Sequence, residues 1–187
     1  MRRSVRRARV VKTELFELEN EMQAEKPYNV LILCTGNSAR SILGEVLFNT
    51  LGKGRFKAWS AGSKPAGRVN PGALEWLQNN GISTDGLRSK SWDEFAAPGA
   101  PEFDFIFTVC DNAAGETCPI WPGKPATAHW GIPDPAHVEG DEARRAAFNK
   151  AAEQLARRIQ LFMSLPIAKL DKITLKQKLA EIGSIKD

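Results

Sequence analysis

The chain has 187 residues, of which 42% are hydrophobic and 26% are charged, values typical of one globular domain. Apolar runs all fall short of the roughly 20 residues that a membrane-spanning helix needs, so no membrane association is expected. Three cysteines are too few, and an odd number, for a disulfide-stapled secreted fold, which favours a reducing, cytoplasmic location.

The net charge of +4 originates at the amino terminus, where residues 1–10 contain five arginines and no acid. Without these arginines the acidic residues outnumber the basic ones by one, so the rest of the chain is nearly neutral. We interpret residues 1–26 as a solvated basic arm with a short helical stretch over 14–25, and it lacks the apolar core of a secretory signal. A non-catalytic anion-binding or DNA-associated module is the alternative, but nucleic acid is not the expected partner.

The first predicted strand, residues 28–33, is an aliphatic run suited to a strand buried on both faces. Cys34, five further residues and Arg40 follow it, and helix-forming residues continue over 41–51. Such a loop presents backbone N–H groups and the positive end of a helix dipole to an oxyanion. The residues predicted to form this oxyanion loop are Thr35, Gly36, Asn37, Ser38, Ala39, Arg40 and Ser41.

Three side chains give the oxyanion loop its predicted chemistry. Arg40 offers a planar fork that binds two oxygens of a tetrahedral anion. The positive field of the loop favours the thiolate, so we expect Cys34 to be a nucleophile with a lowered pKa. Ser41 can hydrogen-bond the sulfur or the leaving group, and Gly36 permits a positive φ. The alternative, that Cys34 merely ends a buried strand, is disfavoured because polar residues and Arg40 follow it.

Strands alternate with helices along the rest of the chain, which predicts an α/β fold with an open, parallel four-stranded sheet and helices on both faces. We divide the chain into the arm at 1–26, a catalytic domain at 27–165 and a helical tail at 166–187. The remaining predicted elements are strands at 56–61, 103–109 and 126–130, a helix capped by Asn70 with Pro71 first, a short helix capped by Ser91, and helices at 142–163 and 169–182.

Polar and thiol side chains fall at or just beyond the ends of the predicted strands. Cys34, Ser60, Cys110 and Asp134 all occupy such positions, and ligands of open parallel sheets bind at the carboxyl ends of the strands. A single site is therefore predicted. Asp134 lies between two prolines, where a carboxylic acid held above an oxyanion could protonate a leaving oxygen. Taken alone, the same Asp-Pro pair could simply make a turn.

Cys110 and Cys118 are separated by seven residues, a spacing that fits neither a thioredoxin-like Cys-x-x-Cys motif nor a common zinc hook. Three thiols, one of them in an oxyanion loop, suggest a disulfide relay. The alternative is a metal site that would add His129 and His137, for which no recognisable spacing exists. Nucleotide-binding glycine motifs are absent from the sequence.

Four motifs together resemble the thiol-dependent arsenate reductases, which share the low-molecular-weight tyrosine phosphatase fold. The resemblance covers residues 28–163 in matching order. The motifs are C-T-G-N-S-A-R-S after the first strand, S-A-G after the second, T-V-C-D-N-A-A-G-E-T-C-P after the third, and H-W-G-I-P-D-P-A.

The resemblance implies a reaction and a role for each thiol. Cys34 would attack arsenate held by Arg40 and the loop amides, while Asp134 protonates the departing hydroxyl. Cys110 would then attack Cys34 and release arsenite, and Cys118 would attack Cys110, leaving a disulfide for an external reductant. That reductant would be thioredoxin, or glutaredoxin with glutathione, and no bound cofactor is implied. Asn37 and Ser41 would shape the loop and lower the pKa of the nucleophile.

The chain departs from some members of the family at two positions. Ala39 stands where some relatives carry another cysteine, so any role of that thiol is absent. Potassium-binding members place a carboxylate near the position of Lys90. The lysine ammonium can occupy that space instead, so potassium is not predicted.

A phosphatase of the same fold, acting on phosphotyrosine or small phosphate monoesters, is the alternative function. Cys34, Arg40 and Asp134 would serve both reactions, because phosphate and arsenate share shape and charge. Phosphatase chemistry leaves the two other cysteines unexplained. It also predicts aromatic walls just after the Asp-Pro pair, where this chain has Ala136 and His137.

Overall fold

A four-stranded, all-parallel sheet forms the centre of the molecule in the computed structural model. The structure describes residues 26–115 and 119–185, so the predicted helical stretch at 14–25 and Cys118 lie outside the described residues. The strand order is β2-β1-β3-β4, which places the strand that ends in Cys34 at the centre. The strands are β1 (Tyr28–Cys34), β2 (Phe56–Gly62), β3 (Phe105–Thr108) and β4 (Ala126–His129).

Helices connect the strands at nearly the predicted positions. Asn70 caps its helix as predicted, since its side-chain oxygen accepts from the amide of Gly72 at 2.8 Å. The C-terminal helix begins later than predicted, after a 3-10 turn at Ile167–Lys169. The helices are α1 (Arg40–Leu51), α2 (Pro71–Asn79), α3 (Asp93–Ala96), α4 (Asp111–Gly115), α5 (Asp141–Met163) and α6 (Lys172–Gly183).

Hydrophobic residues of β1 alternate between two clusters, one on each face of the sheet. Val30 and Ile32 belong to the larger cluster, which α1, α5 and α6 cover. Leu31 and Leu33 belong to the smaller one, with Phe95 of α3. This alternation follows from the two-residue period of a strand. The predicted α/β fold with helices on both faces is thereby confirmed.

The larger cluster is built around stacked aromatic rings. The rings of Phe107 and Trp130 stack with their centroids 3.8 Å apart, and Phe162 of α5 packs edge-on against Phe107 at 5.3 Å. These three side chains are at most 1% exposed. The packing joins β3, α5 and the residue that follows β4, and thereby fixes the start of the segment that carries Asp134.

The C-terminal helix packs on the same cluster. Leu179 and Ile182 are buried there, and the indole N–H of Trp130 donates to the carbonyl of Leu179 at 3.1 Å. The proposed domain boundaries at residues 26 and 165 stay a prediction. Among the described residues, no helix is long and apolar enough to cross a membrane.

Candidate active site

The oxyanion loop joins the last residue of β1 to the first residue of α1. Three of its carbonyls accept bonds from an adjoining segment: Thr35 from the Lys64 amide at 3.0 Å, Gly36 from Ala66 at 2.9 Å, and Ser38 from Asn70 at 2.9 Å. Because the peptide group is planar and trans, the N–H that follows each carbonyl points the opposite way. The N–H groups of Gly36, Asn37 and Ala39 are thereby turned away from the adjoining segment, an arrangement that suits the binding of an anion.

Asn37, and not Gly36, adopts the left-handed conformation in this loop, with φ of 42°. Gly36, which would permit a positive φ, does not have one. Asparagine tolerates this region better than most side chains, and Asn37 is fully buried. Its side-chain nitrogen donates to the hydroxyls of Ser41 at 2.9 Å and Ser60 at 2.8 Å, and its oxygen accepts from the Lys90 amide at 2.8 Å. These bonds hold the turn.

Gly62 allows β2 to lie against the loop. It pairs with Cys34 in the sheet register, and a Cβ added there would lie 2.4 Å from the carbonyl oxygen of Thr35 and 3.0 Å from the amide of Asn37. The motif S-A-G marked this position in the sequence, but its steric role becomes visible only when the two strand ends are placed side by side.

Cys110 lies beside the oxyanion loop, as the strand order predicts. It follows β3, which pairs with β1, and is 3% exposed, while Cys34 is 6% exposed. The backbone amide of Thr35 donates to Cys110 Sγ at 3.3 Å, and the Thr35 hydroxyl lies 3.6 Å from the same sulfur. Each thiol also shifts the pKa of the other, so the two sulfurs lie close together. The structure therefore brings two predicted thiols together beside the loop.

The closeness of the two thiols shifts their pKa values in opposite directions. Cys34 lowers the pKa of Cys110 to about 5, with help from the amides of Ala113 and Thr35. Cys110, together with burial, raises the pKa of Cys34, against the opposing effects of Arg40 and the Gly36 amide. The expectation of a lowered pKa at Cys34 was wrong for this arrangement, because the effects of Cys110 and of burial are the larger ones.

A prediction follows for the reactivity of Cys110. Its alkylation by iodoacetamide should rise as pH passes upward through about 5 and then level off. Replacing Cys34 by alanine removes the group that lowers the pKa of Cys110 most, so this pKa rises and alkylation at pH 6 slows. Peptide mapping after timed alkylation would measure both rates, and an unchanged midpoint in Cys34→Ala would contradict this effect of Cys34.

Asp134 lies at the mouth of the loop, held by Arg40. The Arg40 guanidinium donates to Asp134 Oδ2 at 2.8 Å and to the carbonyl of Ile132 at 2.9 Å. The other carboxylate oxygen accepts from the amide of Ala136 at 2.9 Å, and His137 Nδ1 lies 3.2 Å from Oδ2. His137 is exposed, as expected of a solvated loop residue. The predicted pair of acid and arginine is thus assembled.

An open cleft of about 470 Å³ lies between Arg40, Cys110 and Asp134. It is large enough for a tetrahedral oxyanion and open enough for a thiol partner to approach. His129, in the metal alternative, instead bonds Thr108 at 2.9 Å and Asp111 at 3.0 Å. Within residues 26–115 and 119–185, no group of three or more His, Cys, Asp or Glu side chains is placed to hold a metal ion.

The sequence alone did not predict that Thr35 contacts Cys110, or that Ser60 and Lys90 support Asn37. Thr35 was predicted as an anion ligand, yet its amide donates to the sulfur of Cys110 and its hydroxyl lies beside the same sulfur. Ser60 and Lys90 support Asn37 from β2 and from the segment before α3. Their separation in sequence leaves no local pattern that could have found them. Cys118 lies outside the described residues, so its role stays a prediction.

Comparisons with known proteins agree with this fold. An arsenate reductase of Halalkalibacterium halodurans is 34% identical over 134 residues, covering 71% of this chain and 93% of the relative. The arsenate reductase of Bacillus subtilis (strain 168) is 31% identical over the same length, with the same coverage.

Solved structures show the same architecture. The arsenate reductase from Archaeoglobus fulgidus matches with a TM-score of 0.54 and 29% identity, covering 70% of this chain and 98% of that one. An arsenate reductase in the phosphate binding state matches with a TM-score of 0.57 and 25% identity, covering 71% and 97%.

The family model described as "Low molecular weight phosphotyrosine protein phosphatase" matches residues 29–177, beyond the predicted limit at residue 163. The resemblance drawn from the four sequence motifs is thereby confirmed. The chain belongs to the low molecular weight phosphotyrosine protein phosphatase family, together with the arsenate reductases that it resembles.

Proposed function

We propose that this protein reduces arsenate to arsenite through a relay of three thiols. The observation that carries the proposal is the position of Cys110, which follows the strand paired with β1 and whose sulfur accepts from the amide of Thr35, the residue after Cys34, at 3.3 Å. Hydrolysis of a phosphate ester needs one thiol, whereas reduction by two electrons needs a second thiol that can reach the first. The named function of the relatives points the same way.

In the first step, arsenate binds to the loop amides and displaces the Asp134 carboxylate from Arg40. Cys34 attacks arsenic, and its proton passes to the neighbouring Cys110 thiolate. Asp134 takes a proton from the bound arsenate and returns it to the departing hydroxyl, which leaves as water. The product is a Cys34–arsenate thioester with arsenic still at oxidation state V, a neutral Cys110 and an Asp134 carboxylate.

In the second step, the sulfur of Cys110 attacks Cys34 Sγ. The sulfur–arsenic bond breaks and its electron pair stays on arsenic, which is thereby reduced from V to III. The Cys110 proton passes to the departing arsenite, and a Cys34–Cys110 disulfide remains. Each thiol has given up one electron, which balances the two that arsenic gained.

The last step regenerates the nucleophile. Cys118 attacks Cys110, freeing Cys34 and leaving a Cys110–Cys118 disulfide for thioredoxin, or for glutaredoxin with glutathione. Such reductants belong to a reducing compartment, so a cytoplasmic location is part of the proposal. No bound cofactor is required, because the electrons come from external thiols.

A phosphatase activity at the same loop is the second candidate. The family match favours it, since Cys34, Arg40 and Asp134 suit a phosphate ester equally well. The predicted aromatic walls are nevertheless absent after the Asp-Pro pair, where Ala136 and the exposed His137 stand. We therefore expect phosphatase activity to be a weak side reaction.

The two functions are separated by measuring arsenate-dependent NADPH oxidation with thioredoxin and thioredoxin reductase, beside hydrolysis of a phosphate ester. The proposal predicts turnover of arsenate in the wild type, and its loss in Cys110→Ser while ester hydrolysis persists. Glutaredoxin with glutathione is run in parallel. Ester hydrolysis without arsenate reduction by either reductant would establish the phosphatase instead.

Replacing Asp134 by asparagine is expected to lower kcat for arsenate reduction by about 10²-fold or more, because the departing hydroxyl loses its proton donor. The matched control is His137→Asn, which removes an exposed neighbour of the same carboxylate. Because exposed pairs of this kind contribute little, the control should stay within about fivefold of wild type. Equal effects of the two substitutions would argue against an acid role for Asp134.

A further inference from the structure

The Lys90 side chain is buried beneath the oxyanion loop and has oxygen atoms around its ammonium group. Lys90 is 7% exposed. Its Nζ lies 3.2 Å from Glu45 Oε2, 3.4 Å from the carbonyl oxygen of Arg88 and 3.5 Å from Ser60 Oγ. A buried lysine is costly unless a charge partner offsets its lost hydration. Glu45 is that partner, and its side chain is 16% exposed.

The ammonium is connected to the turn of the loop through two short paths. The Lys90 backbone amide donates to Asn37 Oδ1 at 2.8 Å. On the other path, the Ser60 hydroxyl accepts from Asn37 Nδ2 at 2.8 Å and donates to Glu45 Oε2. Asn37 holds the left-handed turn on which the direction of the neighbouring amides depends. The Lys90–Glu45 pair therefore supports the anion-binding geometry of the loop through Asn37 and Ser60.

A free monovalent cation does not fit beside Lys90 in this chain. The carboxylate, hydroxyl and carbonyl oxygens that would coordinate it already contact Nζ. A second positive charge placed among them would also be repelled by the ammonium. The nearby Arg88 guanidinium is turned away, since it pairs with Glu94 at 2.8 Å.

We propose that Lys90 is a built-in cation that positions the oxyanion loop, so that anion binding in this protein is independent of potassium and other free monovalent cations. Lys90 touches neither the substrate nor the reacting sulfur and acts through Asn37 and Ser60. The proposal concerns the binding of a tetrahedral oxyanion, so it holds whether the loop serves a reductase or a phosphatase.

The test is calorimetric titration of the protein with inorganic phosphate, in sodium, potassium, ammonium or choline chloride at equal ionic strength. Wild-type affinity should be the same in all four salts to within about twofold. Lys90→Ser leaves an oxygen-lined space of ammonium size, and phosphate affinity in choline should fall by about tenfold or more. In potassium or ammonium chloride, Lys90→Ser should bind phosphate more tightly, so that at least half of its change in log Kd is recovered.

Two further variants separate a positioning role from a general loss of packing. Lys90→Met fills the space without a charge, so it should bind phosphate as weakly as Lys90→Ser, with no recovery in any salt. Arg88→Gln removes an exposed cation two residues away and should bind like wild type. A wild-type affinity that rises several-fold with potassium would overturn the proposal, even if the variants failed to fold. So would wild-type binding by Lys90→Met, or a Lys90→Ser variant that neither cation restores.

Discussion

Replacing Cys34 by serine is expected to lower kcat/KM for arsenate by at least about 10⁴-fold, the scale seen when a catalytic nucleophile is removed. A hydroxyl in this position stays protonated at neutral pH and cannot form the sulfur–arsenic bond that the second step breaks. The substitution keeps the loop amides and Arg40, so binding of inorganic phosphate should remain within about tenfold of wild type.

The reduction assay and phosphate titration on the same Cys34→Ser preparation distinguish chemistry from folding. Retained binding with lost turnover supports the nucleophile role. If the variant reduced arsenate at more than about a hundredth of the wild-type rate, another thiol would have to be the nucleophile. A non-catalytic anion-binding module would instead show no turnover in the wild type.

Replacing Arg40 by lysine is expected to lower kcat/KM by about 10²–10³-fold. Lysine keeps the charge, but it is a single point donor and cannot span two oxygens of a tetrahedral anion. It also cannot reproduce the two bonds by which Arg40 joins Asp134 to the carbonyl of Ile132. The loss should appear in both KM and kcat, because the guanidinium binds the anion and positions the acid.

The matched control for Arg40→Lys is Arg88→Lys, which makes the same exchange at an exposed arginine paired with Glu94. Exposed pairs contribute little, so the control should stay within about threefold of wild type. Steady-state kinetics over a range of arsenate concentrations would measure both variants. If Arg40→Lys also stayed within about threefold of wild type, Arg40 would contribute its positive charge alone and not its two-pronged hydrogen bonding.

Local sequence signals predicted the positions of the strands and helices well. The aliphatic run before Cys34 predicts a central strand, because a strand that is buried on both faces carries hydrophobic residues at successive positions. Asn70 with Pro71 predicts a helix start, which the structure confirms. The third strand is shorter than its hydrophobic run, because Phe103 packs in the smaller cluster before pairing begins at Phe105. Strand length here follows sheet pairing and not hydrophobicity.

The interior of the site was harder to predict, because its support comes from distant parts of the chain. Glu45, Ser60 and Lys90 lie on separate segments and meet only in the folded sheet. The left-handed turn falls at Asn37 because hydrogen bonds from these segments hold it there. The pKa of Cys110 is lowered by Cys34 and by amides of α4 and Thr35, which the sequence did not place beside it.

The relay itself is tested most directly by a single turnover of Cys118→Ser with arsenate and no external reductant. A three-thiol relay should give about one arsenite per chain, together with a Cys34–Cys110 disulfide found by peptide mapping. Cys110→Ser, treated in the same way, should form neither. Arsenite released by Cys110→Ser in the same amount, or a disulfide that excludes Cys110, would contradict the account.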